Sequence, residues 1–186
     1  MKRSHVFLSS AVLLALVLLA GSAVMTQETD VPQPDPPAVG DPAPEFTLVS
    51  NEGTEVNLAD YRDSWVVLYF YPQDFTGGCT IEAKNFERDI EQYEAKNTVV
   101  LGVSTDSVES HEEFCTKEGL SFKLLADVEG AVSDQYGSLS EGGKSRRNTF
   151  VIDPNGVVAK VFLKVSPNPH SEEVLAALAE LQEPQS

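Results

Sequence analysis

The chain has 186 residues, of which 41% are hydrophobic and 8% aromatic; that is enough for one domain with a real core, and it excludes an intrinsically disordered chain. The formal net charge is −16. Its sign excludes a nucleic-acid binder or a protein drawn to anionic membrane surfaces, so neither partner is expected.

In chain order, the sequence opens with Lys2 and Arg3 and no acidic residue. Val6–Ala20 follows as 15 uncharged residues, and Gly21-Ser22-Ala23 offers small residues at a cleavage point. This is the order of a secretory signal. The 20 uncharged residues from Val6 to Met25 are also long enough to cross hydrocarbon. Residues 1–25 therefore read as a signal peptide or as a membrane anchor, with residues 6–25 as the tether. Leu18-Leu19-Ala20-Gly21 resembles the start of a lipobox, but Ser22 stands where a lipidated cysteine is needed. On either reading the protein is exported, to a periplasm, a lumen or the extracellular space. Without residues 1–25 the net charge becomes 11 − 29 = −18. Residues 26–44 contain six prolines and read as an extended, semi-rigid linker.

The domain is expected over residues 45–182. Glu45–Val49 and Glu55–Leu58 alternate about Asn51-Glu52-Gly53, a hairpin. Trp65–Tyr71 (WVVLYFY) is unbroken apolar and aromatic, as in a strand buried on both faces. From Thr80 the period changes: Ala83, Phe86, Ile90 and Tyr93 mark one face of a helix reaching Lys96. Thr98–Val103 is a second buried strand, and Ser107–Glu118 a helix stopped by Gly119. Phe122–Ala126 is a strand and Gly130–Tyr136 a short helix. Thr149–Ile152 and Val157–Val165 form a hairpin about Asp153-Pro154-Asn155-Gly156. Ser171 is placed to cap a last helix, Glu172–Leu181. Alternating strands and helices predict a sheet with a parallel centre, helices on both faces and an antiparallel edge from the last hairpin. With the N-terminal β-hairpin, the α/β order fits a thioredoxin-like fold around a central mixed β-sheet.

Cys79 falls where strand 65–71 has ended and the next helix begins. A cysteine in a helix's first turn faces free backbone N–H groups and the positive end of the dipole, which favour the thiolate and raise its nucleophilicity. Gly77 and Gly78 admit the backbone close to the sulfur. Thr76, three residues earlier, brings a hydroxyl that can donate to a thiolate or to a bound oxygen. Such a sulfur is suited to polarising an O–O bond.

Pro72-Gln-Asp-Phe-Thr76-Gly-Gly-Cys79 matches the P-x-x-x-T-x-x-C signature of peroxiredoxins, and YPQDFTGGCTIEA resembles the branch called Q-type peroxiredoxins or bacterioferritin comigratory proteins. Ser110-His111-Glu-Glu-Phe114, Leu124-Leu125-Ala126-Asp127, Tyr136-Gly137 and Arg147-Asn148-Thr149-Phe150-Val151-Ile152-Asp153 resemble later segments of that branch, in order. The resemblance covers about residues 39–182 and implies a thiol peroxidase, reducing hydrogen peroxide or alkyl hydroperoxides at the expense of a thioredoxin-like or other thiol reductant. It implies that Cys79 is the peroxidatic cysteine, oxidised to a sulfenic acid. It likewise implies that Thr76 bonds the peroxide oxygens, Pro72 shields the sulfur, Arg147 stabilises thiolate and leaving oxygen, and Glu82 orients Arg147. Arg146 is set aside, because the spacing back from Thr149-Phe150 selects Arg147 and neighbours along a strand face opposite ways.

Two departures stand out. Gly77 occupies a position where this branch commonly has proline, and Lys84 stands where many members carry a second cysteine. The remaining cysteine is Cys115, with 115 − 79 = 36; a subset of the branch has its resolving cysteine in the next helix, which makes Cys115 the resolving residue. The competing reading is an exported thioredoxin-fold binding or structural domain with a Cys79–Cys115 structural disulfide. No cofactor is implied. No metal is expected either, since His5 lies in the leader and His111, His170 and the two cysteines lack ligand spacing. His111, beside Phe114, reads as packing rather than as a base. A disulfide reductase of the thioredoxin kind would need C-x-x-C, and Thr76 holds the first of those positions. A monomer is the expected state.

Overall fold

The structure, a computed structural model, describes residues 34–183. The signal or anchor expected over residues 1–25, and the linker's first residues, lie outside the described residues. Among the described residues no helix is long and apolar enough to cross a membrane.

The elements run β1 (Thr47–Ser50), β2 (Glu55–Asn57), a 3-10 turn (Leu58–Tyr61), β3 (Trp65–Phe70), α1 (Gly77–Arg88), α2 (Ile90–Glu94), β4 (Thr98–Ser104), α3 (Val108–Glu118), β5 (Lys123–Ala126), α4 (Ala131–Gln135), β6 (Asn148–Ile152), β7 (Val158–Leu163) and α5 (His170–Leu181). They build one seven-stranded sheet in the order β2-β1-β5-β4-β3-β6-β7. β3, β4 and β5 pair in parallel. The antiparallel pair β6–β7 lies against β3, and β1 closes the far side against β5. This is a thioredoxin-like α/β fold with a mixed sheet, as expected.

Period-two geometry divides the apolar run of β3 between two cores. Val66, Leu68 and Phe70 face one side, with Phe46, Leu101, Val103, Leu125, Tyr136 and Phe150. Val67, Tyr69 and Tyr71 face the other, with Ala83 and Phe86 of α1, Phe114 of α3, and Val174 and Leu178 of α5. Both cysteines belong to this second core.

Three expectations are corrected. The helix expected to run unbroken from 80 to 96 starts at Gly77 and is interrupted at Asp89 (φ −100°, ψ 5°). The buried Asp89 carboxylate accepts from Arg88 and from the Ser171 hydroxyl at 2.8 Å, and the break lets the Tyr93 hydroxyl reach the Ser171 carbonyl at 2.7 Å. Ser171 is accordingly not a cap: α5 begins at His170 after Pro169, and Ser171 is buried in the first turn. Finally, residues 34–44 do not stand clear of the domain. Gly40 N–H donates to Val158 O, Val158 N–H to Asp41 O and Ala43 N–H to Gly156 O, all at 2.8–2.9 Å, and Ala43 is buried. Prolines conceal this docking in the sequence, since they carry no periodic pattern and no donor.

Candidate active site

β3 carries the chain into the core, and Pro72–Thr76 carries it out to α1. Thr76 is extended (φ −87°, ψ 146°) and serves as the N-cap residue without a side-chain cap bond, which leaves its hydroxyl free for other work. That hydroxyl donates to Cys79 Sγ at 2.8 Å and lies 3.0 Å from the Gln73 carbonyl. Its one proton cannot serve both acceptors fully, so the bond to sulfur is exchangeable. Cys79 is the third residue of α1 and 1% exposed. The helix's first N–H groups have no intrahelical acceptor, and the dipole's positive end faces the sulfur.

Arg147, the residue before β6, reaches across from the other side. Its Nη2 is 3.1 Å from Cys79 Sγ and its Nη1 donates to Glu82 Oε2. Gly78 makes room: a Cβ there would lie 2.9 Å from Arg147 Nη2 and 3.5 Å from the Pro167 ring. Glu82 lies three residues past Cys79 on α1, its side chain 1% exposed and its Oε1 without a partner among the described residues. Burial pushes the Glu82 carboxyl up to about 7, against the pull of Arg147. Burial also works against the Arg147 charge, but Glu82 and the Cys79 sulfur outweigh it and hold the guanidinium more firmly protonated than usual. A permanent cation thus sits between a carboxyl and a sulfur, the arrangement that stabilises negative charge on either.

The structure therefore brings Cys79, Thr76, Arg147 and Glu82 together. Pro72 stands half-buried at the exit of β3. Arg146 is turned away, with Nη1 3.4 Å from the Gly137 carbonyl. Cys115 lies in the last turn of α3, 6% exposed, and burial, with smaller contributions from Asp74, Glu52 and Glu87, pushes its thiol up to about 12. Both cysteines are free thiols. His111 is fully buried, with Nδ1 on Asp74 rather than on sulfur. Two features escaped the sequence reading: the closeness of Pro167 to the site, and the need for glycine at 78 to admit a side chain 69 residues away. No local pattern signals either.

Comparison with known proteins gives concordant results. The AhpC/TSA family profile matches residues 39–161. A Bcp protein of Helicobacter pylori is 41% identical over 147 residues, covering 75% of this chain and 97% of its own length. Peroxiredoxin Bcp of Bacillus subtilis is 38% identical over 152 residues, covering 78% and 97%. Among solved structures, a cysteine-to-serine mutant of Xylella fastidiosa PrxQ superposes with a TM-score of 0.76 at 34% identity, covering 79% of this chain and 98% of that one. Two further mutants, of Xanthomonas campestris peroxiredoxin Q, superpose at 0.70 with 34% identity. Their substituted cysteines are 36 residues apart.

Proposed function

Because the chain belongs to the AhpC/TSA family and is a peroxiredoxin of the Bcp/Q kind, hence a thiol peroxidase, we propose that Cys79 is its peroxidatic residue and Cys115 its resolving one. The observation that carries this is that one buried sulfur, that of Cys79, receives both the Thr76 hydroxyl at 2.8 Å and an Arg147 nitrogen at 3.1 Å. The Cys79 thiolate attacks one peroxide oxygen, so that the S–O bond forms as the O–O bond breaks. Cys79 becomes a sulfenic acid, and the departing hydroxide or alkoxide takes a proton to leave as water or alcohol. Arg147 donates to the sulfur before attack and to the departing oxygen during it, where fixed donors matter most. Thr76 transfers its hydrogen bond from sulfur to peroxide. Glu82 keeps Arg147 aimed, and Pro72 screens the sulfur from bulk water.

In the second step the Cys115 thiol attacks the sulfenic sulfur, the S–S bond forms and water leaves. A disulfide needs Cα atoms within roughly 7 Å. Cys79 lies in the first turn of one helix and Cys115 in the last turn of another, so both turns unwind first, with Gly77-Gly78 and Gly119 as hinges. Cys115 and Cys79 have the 36-residue separation of the cysteines substituted in the Xanthomonas structures, which supports the pairing. An intramolecular disulfide needs no second subunit, which fits a monomer. A thioredoxin-like thiol then reduces it. The charge order and apolar run of residues 1–25 support export, as a cleaved or a tethered protein. Two donors aimed at one sulfur favour a nucleophile over a structural bridge, which has no use for them.

Peroxide consumption by the purified chain tests this, with a thioredoxin-like donor, a glutathione-type donor and no donor in parallel. Turnover is expected with the first and should vanish in Cys79→Ser, whose hydroxyl is not an anion at neutral pH. Wild-type turnover in Cys79→Ser would overturn the assignment. After one equivalent of peroxide, mass spectrometry should show the loss of two hydrogens and a linked Cys79–Cys115 peptide. A lasting sulfenic acid beside a free Cys115 thiol would remove Cys115 from the cycle.

A further inference from the structure

Asp74 stands two residues before Thr76, and its carboxylate is buried. It accepts three side-chain hydrogen bonds: from Tyr71 Oη at 2.7 Å, from Ser110 Oγ at 2.7 Å and from His111 Nδ1 at 2.8 Å. Its own N–H donates to Asp106 Oδ2 at 2.9 Å. Burial acts to raise its pKa, but His111, Ser110 and Tyr71 outweigh burial and hold it below the usual carboxylate range. The next residue, Phe75, is clipped to the same helix further along. Its ring meets Phe114 edge-on at 5.1 Å, and Lys117 Nζ lies 5.1 Å from its centroid. Ser110, His111, Phe114 and Lys117 form one stripe of α3, so residues 74 and 75 are fastened to that helix along most of its length. Phe75 adopts φ 57°, a left-handed conformation that costs a bulky residue energy and persists only where its surroundings enforce it.

The clasp therefore joins the two segments that carry the cysteines: the loop that enters Cys79's turn, and the helix whose last turn holds Cys115. We propose that Asp74, Ser110 and His111 are positioning residues that make these two segments a single opening unit, and so set how long Cys79 stays in its attacking arrangement before Cys115 reaches it. The physical reason is the buried carboxylate. If α3 unwinds alone, Asp74 loses Ser110 and His111 while still shut away from water. If the loop leaves alone, the buried His111 loses its acceptor. A half-open state leaves a charged or polar group stranded, whereas joint opening hydrates all of them at once. Phe75 relaxes from its left-handed backbone in the same event. The proposal rests on resolution by Cys115, because the opening it governs is the one that lets the sulfurs meet. A longer wait exposes the sulfenic acid to a second peroxide, which inserts an oxygen to give the sulfinic acid and leaves as alcohol or water.

Amide hydrogen exchange and disulfide closure on the full chain test it, with Ser110→Ala as the mild variant and Asp74→Asn as the severe one. In the wild type, amides of residues 74–80 and 110–118 should open with equal free energy. Loss of one hydrogen bond to a carboxylate changes an opening equilibrium by about tenfold. Ser110→Ala should therefore speed exchange in both segments by about tenfold, speed closure of the Cys79–Cys115 bond by a similar factor and lower the sulfinic acid yield. Ser171→Ala, which loosens the remote Asp89 cluster, should leave both segments unchanged, separating the clasp from general destabilisation. Acceleration of one segment without the other overturns the proposal, as does unchanged closure in a folded Ser110→Ala. If the wild type forms no Cys79–Cys115 bond, resolution by Cys115 fails, and the clasp then stands or falls on the equality of the two exchange rates.

Discussion

Arg147 holds its charge between the Glu82 carboxyl and the Cys79 sulfur, and in the reaction proposed above this fixed cation is the donor that follows charge as it moves from sulfur to oxygen. Losing one such donor typically costs about 10²–10³ in rate. Arg147→Ala should therefore lower the rate of Cys79 oxidation by about that factor while the chain still folds, whereas Arg146→Ala, turned toward Gly137, should leave the rate unchanged; stopped-flow oxidation of the two variants checks it. Glu82 adds a pH dependence. Burial raises its carboxyl from 4.5 to about 7, so between those values the folded chain holds a proton that the unfolded chain has released. Stability contributed there is lost as pH rises through that window. Denaturant unfolding at several pH values should show this decline in the wild type and its removal in Glu82→Gln. Above about pH 7 the ionised carboxylate grips Arg147 most firmly, so oxidation should be fastest on that side, and the variant should lose that part of the profile. At this scale Thr76 and Cys79 were legible because three residues separate them at a helix start. Arg147 and Glu82 were legible only through resemblance, and Asp74 not at all, because its partners on α3 lie 36 and 37 residues away.

Helices and strands were read well where burial is periodic and poorly where a polar contact interrupts the period. Ala83, Phe86 and Tyr93 do line one buried face, yet the helix breaks between them. The cause is Asp89, whose carboxylate is held by Arg88 first and by Ser171, and sits below its usual pKa for that reason. The same serine was read as a cap because Ser-Glu-Glu before an apolar stripe has the look of a helix start; Pro169 had already started the helix. The contact has a measurable worth. Ser171→Ala removes the hydroxyl that donates to Asp89 at 2.8 Å and leaves a buried carboxylate short of one donor, which costs about 2 kcal/mol. For a chain of this length that is a fall in Tm of roughly 4–8 °C. Calorimetry should register it, while the rate of Cys79 oxidation stays at the wild-type value, since α5 enters the site only through the loop that precedes it.

The whole molecule is a sheet with two cores, and that much follows from one strand: seven apolar residues in a row cannot sit on a surface, and alternation sends them both ways. What the row cannot tell is which segments complete the cores at the margins. Residues 34–44 looked like a spacer because prolines dominate them, yet Pro42 bridges to Val157 and Ala43 is buried in the first core. The Tyr136 hydroxyl, beneath that core, donates to the Pro44 carbonyl at 2.8 Å. Three backbone bonds join Gly40, Asp41 and Ala43 to the β6–β7 hairpin. These four hydrogen bonds and Ala43's burial stand against the ordering of some ten residues. That ordering is cheap here, because proline has already narrowed the unfolded chain's choices. The docked segment is therefore expected to add to the domain's stability. A chain beginning at residue 45 should therefore melt below one beginning at residue 34, as read by circular dichroism. It should also exchange faster at the Val158 amide, which loses its acceptor on Asp41, and at Tyr136, whose hydroxyl is left buried and unpaired. Equal melting of the two chains would mean that the segment rests on the domain without stabilising it, and the boundary at 44 expected from composition would then be the energetic one as well.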